Sequence, residues 1–331
     1  FKNMKKKIIK IICTLGPSSL NKKFLNFAKN NISLLRLNMS HLNLVNLEKA
    51  IKLIKKHTNT PICIDTEGAQ IRTKVKKEKY INVGQKIKIG KNNDNFKLYP
   101  ESIYEQIKKN DILNVGFDNL KIKVISKKKY ILCRAISPGK FENNKGVHIE
   151  NRKINLNFLT DKDFAAIEIG KKLKIKNYAL SFTNSANDII KFNALLKESN
   201  KIFKIETLNA CDNFQQIIKK GNYFLIDRGD LSKDVKIENI PIVQRNLFNI
   251  RRKKKNKEIF VATNLLESML KNNFPTRGEA NDVFNSLEMG ATGLVLAAET
   301  AIGKNPISSV KFLQKMIGAF KKSKYKKIKY F

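Results

Sequence analysis

Two periods alternate along this chain. Short apolar, β-branched runs at Ile8–Leu15, Ser33–Leu37 and Pro61–Ile64 predict strands, and the stretches between them, Leu20–Asn30 and Leu44–His57, carry apolar residues at helical spacing. From about residue 74 to residue 145 the helical period disappears. KYINVGQKIKIG, DILNVGF, LKIKVIS and KYILCRAIS read there as short strands between Gly and Asn turns, an inserted all-β module. The first rhythm then resumes: helix Asp161–Leu173, strand Tyr178–Phe182, helix Ser185–Ser199, strand Ile202–Ile205, helix Cys211–Lys219 and strand Tyr223–Ile226. Helix Pro241–Arg252, strand Ile259–Ala262, an interrupted helical region Leu265–Met289, strand Gly293–Ala297 and helix Pro306–Phe320 complete it.

Eight strands, each followed by helix except for one excursion after the third, is the count of a (β/α)8 TIM barrel. The predicted class is α/β, with the barrel over residues 1–73 and 146–331 and the β module over 74–145. A doubly wound open sheet alternates in the same way but carries a Gly-rich fingerprint after its first strand. Here that turn reads TLGPSS.

Composition changes this picture little. The 331 residues are 42% hydrophobic, enough for a sizeable core. No apolar run approaches the ~18 residues of a membrane span, and the basic start has no small-residue cleavage site of a secretory signal. Cys13, Cys63, Cys133 and Cys211 form no CxxC or Cys/His cluster, which points to free thiols in a reducing cytoplasm. The formal charge is +38, from 66 Lys and Arg against 28 Asp and Glu. Such an excess suits a nucleic-acid partner, yet Lys far outnumbers Arg and the basic residues run through the whole length among Asn and Ile, as AT-rich codons would dictate. The densest run, Arg251–Lys255, falls where a helix should end. There is no helix-turn-helix, RNP aromatic pattern or zinc spacing, so nucleic acid is disfavoured as a partner.

A TIM barrel builds its active site at the C-terminal ends of its strands. Seven of the eight predicted ends carry polar groups: Arg36 to His41, Asp65 to Gly68 with Arg72 beyond, Ser181, Lys204 with Glu206, Asp227 to Asp230, Thr263 with Asn264, and Glu299 with Thr300. Glu206 and Asp230 suit a hard divalent ion such as Mg2+. Lys204, two residues before Glu206, points to the same side of the pleat and could neutralise a phosphoryl group or an enolate oxygen. Arg36 and Arg72 offer planar forks for phosphate oxygens, and Asn38, Ser40, Asp65 and Thr66 gather hard oxygens for a monovalent cation. Each has a purely structural alternative, an ion pair for Lys204 and Glu206 and a helix cap for Asp65.

These segments resemble the pyruvate kinase family. CTLGPSS, RLNMSH, DTEGAQIRT, KGVHI, TDKD, FKIET, RGDLS, ATNLLESM, PTRGEANDV and AAETAIGKNP occur in family order from Cys13 to Pro306, and the β module falls where that family carries its lid. The resemblance implies Mg2+- or Mn2+-dependent phosphoryl transfer from phosphoenolpyruvate to ADP, with K+ as a second cofactor, in cytoplasmic glycolysis. Lys204 would face the phosphoryl group and the enolate, Arg36 would bind the phosphoryl group, and Thr263 would serve the proton relay. Glu206 and Asp230 would hold Mg2+, and Asn38, Ser40, Asp65 and Thr66 would hold K+. Ser181, Gly229, Asp230, Thr263 and Arg72 would line the substrate, with Arg36, His41, Arg72 and Lys162 on the nucleotide side. Homo-oligomerisation through the barrel is open.

Three departures accompany the resemblance. Glu67-Gly68-Ala69-Gln70 stands where the family usually has Lys-Gly-Pro-Glu; Thr207, Ser232 and Asp227 replace the usual Asn, Gly and Ala. No segment beyond the eighth helix matches the family's C-terminal effector domain, so that domain and its control are expected to be absent. A weakly active relative kept for binding is the alternative that these departures raise.

Overall fold

The computed structural model describes residues 8–90, 95–116, 120–150 and 154–323. It divides into two compact units, one of residues 1–68 with 158–331 and one of Ala69–Asn157.

In the first unit, eight strands close into a parallel barrel. They are β1 (Lys10–Thr14), β2 (Leu34–Asn38), β3 (Ile62–Asp65), β4 (Asn177–Leu180), β5 (Asn200–Ile205), β6 (Tyr223–Asp227), β7 (Glu258–Ala262) and β8 (Gly293–Leu296). Each pairs with its sequence neighbours, and β8 returns to β1, where Ile11 aligns with Leu294. The helices start where polar caps supply acceptors for unpaired N–H groups. Thr160 with Asp163, Ser185 with Asp188 and Thr276 with Glu279 form reciprocal capping boxes ahead of Asp161–Lys172, Ala186–Leu195 and Arg277–Met289. Two helical expectations shift for the same reason. The Thr207 side chain accepts from the N–H of Ala210 and starts a helix at Leu208, earlier than Cys211, and a second begins at Phe214. The interrupted region resolves into a 3-10 turn, Glu267–Leu270, and the capped helix from Arg277.

The pleat sorts the side chains. Outward residues such as Ile11, Leu35, Ile64, Phe203, Ile226 and Val261 join the helices in one large core. Inward residues Ile12, Cys63, Ala179, Ile202, Leu225, Phe260 and Val295 form a separate apolar plug inside the barrel. One pleat further toward the C-terminal rim, two residues on, the inward positions become Thr14, Asp65, Ser181, Lys204 and Asp227, with Arg36 following the half-buried Leu34. The strand period alone thus sets a polar layer on an apolar one.

The second unit contains a closed seven-strand barrel around Ile87, Leu98, Ile122 and Cys133, with a separate two-stranded sheet. Its limits lie outside the expected 74–145. The strand Ile71–Val75 pairs with Phe96–Tyr99, and Gly146–Ile149 pairs with Ile112–Val115, so backbone hydrogen bonding draws Arg72 and the residues after Lys145 into this unit.

Candidate active site

Lys204 stands at the centre of the polar layer, 3% exposed. Its Nζ lies 2.8 Å from Glu206 Oε1, 3.1 Å from Ser181 Oγ, 3.3 Å from Asp65 Oδ2 and 3.8 Å from Asp227 Oδ2. Burial by itself would lower the ammonium's affinity for its proton; Asp65 and Glu206 outweigh it and hold Lys204 above its ordinary range. Arg36 is also buried. Its Nε donates to Asp65 Oδ2 at 2.6 Å and Nη1 donates to Thr14 Oγ1 at 3.0 Å. Asp65, aligned with Asn38 across β2 and β3, therefore sits under both cations and against the Ser181 hydroxyl.

Glu206 follows β5 directly. One oxygen faces Lys204, and the other accepts the Phe182 N–H at 2.6 Å. Burial raises its proton affinity, Lys204 opposes that, and the nearby Asp230 and Asp227 add to the rise. Among the described residues, Glu206, Asp227 and Asp230 are the acidic group close enough to share a metal, with ligand atoms within 4.8 Å of one another. The oxygen-only donor set fits Mg2+ or Mn2+, hard ions that favour carboxylates. Asp227 Oδ1 is buried without a hydrogen-bond partner, an acceptor such an ion would satisfy. Asp230 Oδ1 also accepts from Lys233, one helical turn on, at 2.6 Å.

Beside the carboxylates the rim backbone is strained. Thr263 and Asn264 occupy φ +67° and +53°, and Thr is β-branched, so its left-handed conformation is a true outlier. Surrounding bonds hold it there. Thr263 Oγ1 accepts the Gly229 N–H at 2.8 Å, and the Thr263 carbonyl accepts from Arg228 Nη2 at 2.6 Å, while Arg228 Nη1 grips both oxygens of Asp282. The result fixes a hydroxyl next to the Gly229–Asp230 backbone.

The other expected residues are placed differently. Asn38 Oδ1 accepts the Ser40 N–H and Thr66 Oγ1 accepts the Ser181 N–H, so both oxygens at the ends of β2 and β3 are already engaged, one locally and one across to the segment after β4. Lys162 Nζ donates to the Met39 carbonyl and lies 3.8 Å from Glu67, whose N–H is in turn held by Asp163. His41 is exposed just after β2. Arg72, in the second unit, donates to the Asn144 carbonyl. Glu299 is buried by structural duty, accepting the N–H groups of Leu266 and Ala297. Arg228 likewise spends its fork on Thr263 and Asp282. Asp227, where the family usually has Ala, joins the acidic group, and the alternation Tyr223, Leu225, Asp227 turns it inward.

Comparison with known proteins agrees with this geometry. The family described as "Pyruvate kinase, barrel domain" matches residues 5–310. The pyruvate kinase of Thermotoga maritima is 30% identical over 97% of this chain and 72% of its own length. That of Methanocaldococcus jannaschii is 33% identical over 93% and 68%, and that of Sporosarcina psychrophila 31% over 93% and 56%. With the family match spanning most of the barrel and relatives similar across nearly all of the sequence, this chain belongs to the pyruvate kinase family.

Proposed function

We propose that this chain catalyses phosphoryl transfer from phosphoenolpyruvate to ADP, giving pyruvate and ATP, with Mg2+ or Mn2+ and K+ as cofactors. The observation that carries the reading is Lys204, a buried cation held by Asp65, Ser181 and Glu206 and aimed along the inner face of the barrel at the carboxylate group. Four free cysteines, three of them buried, suit a reducing cytoplasm, where glycolysis runs.

Divalent metal held by Glu206, Asp230 and their neighbours would supply Lewis-acid charge against the phosphoryl and enolate oxygens. The chain's own residues do the rest. Lys204 offers N–H donors to the bridging oxygen as negative charge grows on it, and Arg36 adds a planar fork toward the phosphoryl group. Both are prepaid in orientation by Asp65, so little rearrangement accompanies the step. The backbone at Gly229 and Asp230 would serve the substrate carboxylate, and Thr263, whose Oγ1 donates to the Ala262 carbonyl at 2.6 Å, would pass that proton to the enolate carbon and take one from solvent in its place. Ser181 steadies Lys204. His41 and Lys162 are assigned to the phosphates of the nucleotide. For K+, Asn38, Ser40, Asp65 and Thr66 are the assigned ligands, supported by the alignment of Asn38 with Asp65.

The test is a lactate-dehydrogenase-coupled assay with Mg2+, in K+ and in tetramethylammonium buffers. Lys204→Met should lose about 10²–10³-fold in kcat, the scale of a deleted transition-state donor, with the far-UV circular dichroism of the wild type. Turnover near the wild-type rate in that variant, or none in the wild type under any cation, would sink the assignment.

A further inference from the structure

The buried layer at the top of the barrel holds more acids than bases. Arg36 and Lys204 are two cationic groups against three carboxyl groups, Asp65, Glu206 and Asp227, all three at or below 4% exposure. Asp65 and Glu206 account for the cations. Asp65 Oδ2 takes Arg36 at 2.6 Å and Lys204 at 3.3 Å, and Glu206 takes Lys204 at 2.8 Å and the Phe182 N–H at 2.6 Å. Asp227 is left with a distant share of Lys204, 3.8 Å from Oδ2, and with Oδ1 buried and unbonded. A buried carboxylate with no full partner is costly, and a chain keeps one where a cation completes it.

The place for that cation is set by geometry. Leu225 belongs to the apolar plug, so Asp227 two residues later faces the barrel interior, and the pairing of Ile205 with Ile226 sets Asp227 beside Glu206. The ligand oxygens of Glu206, Asp227 and Asp230 lie within 4.8 Å of one another. An ion with bonds of 2.0–2.1 Å, as for Mg2+, spans at most about 4.2 Å between opposite ligands, so the three carboxylates would draw in slightly to share it. We propose that Asp227 is a third carboxylate ligand of the divalent ion, and that it lets the ion bind tightly before any substrate arrives. This rests on the metal centre proposed above for Glu206 and Asp230 and adds to it a residue of this chain's own. Three carboxylates supply more charge than two, which favours early capture of a hard divalent ion and shields Lys204 from the surplus acid.

The experiment titrates substrate-free full-length protein with Mn2+ and follows free Mn2+ by electron paramagnetic resonance, for the wild type, Asp227→Asn, Asp227→Ala and Glu206→Gln. Thermal unfolding is recorded with and without Mn2+. Both Asp227 variants should weaken Mn2+ binding about tenfold or more and lose most of the Mn2+-induced rise in Tm. Without metal their Tm should equal or exceed the wild type's, because a buried carboxyl group without a full partner is gone. If Glu206→Gln loses Mn2+ while the Asp227 variants bind it as tightly as the wild type, Asp227 is only a counter-charge for Lys204 and the proposal fails, with the metal centre intact. If the wild type takes up no Mn2+, the metal centre and the third ligand fall together.

Discussion

The least replaceable residues of the rim are those that combine charge with direction. Arg228 shows this outside the buried layer. Its guanidinium clamps both oxygens of Asp282 and the carbonyl of the strained Thr263, a set of bonds that a single ammonium cannot reproduce. Arg228→Lys should therefore cost about 1.5–3 kcal/mol in urea unfolding, the range for hydrogen bonds to a charged group. It should also lower kcat, because Thr263 loses the bond that holds its backbone. Unchanged unfolding and turnover would show that the clamp is not needed. At this scale the sequence was legible wherever residue type and strand position sufficed, as for Lys204 two residues before Glu206. It was not legible where partners come from remote segments. Glu299 stands among the polar strand-end groups and is the acceptor for Leu266 and Ala297; nothing near it in sequence announces the Leu266 N–H.

The elements came through their periods. The 3.6-residue and two-residue repeats mark strand and helix, and capping pairs such as Thr160 with Asp163 mark starts closely, because both are local. Boundaries that depend on long-range pairing did not. Residues 71–73 read as the tail of the third barrel unit, yet the strand Ile71–Val75 pairs with Phe96–Tyr99 and carries them into the other unit. The turn between β3 and that strand turns on Gly68, at φ +74°, where an added Cβ would stand 2.7 Å from the Cβ of Ser181. Gly68→Ala should destabilise the chain on the order of 2 kcal/mol, from backbone strain and overlap together. Since Ser181 also holds Lys204 and Asp65, its displacement should reduce kcat with a smaller change in KM. Chemical denaturation and steady-state kinetics on one preparation measure both, and a neutral substitution would mean the turn can relax.

At the scale of the molecule the +38 charge is a field and not a fold. It would draw in the anionic substrates proposed here, so kcat/KM should fall several-fold as NaCl rises from about 0.05 to 0.3 M at constant K+ and Mg2+, where the Debye length shrinks. A flat profile would leave the surface charge without a kinetic role. The sequence by itself determined the class, the eight-fold alternation, the insertion after the third strand and the identity of the central lysine, since periodicity, caps and residue chemistry are written locally. Only the tertiary structure decided which acids share a site. Closing the barrel sets β5 against β6 in a fixed register, turns Asp227 inward beside Glu206, and leaves one of its oxygens buried with no hydrogen-bond partner.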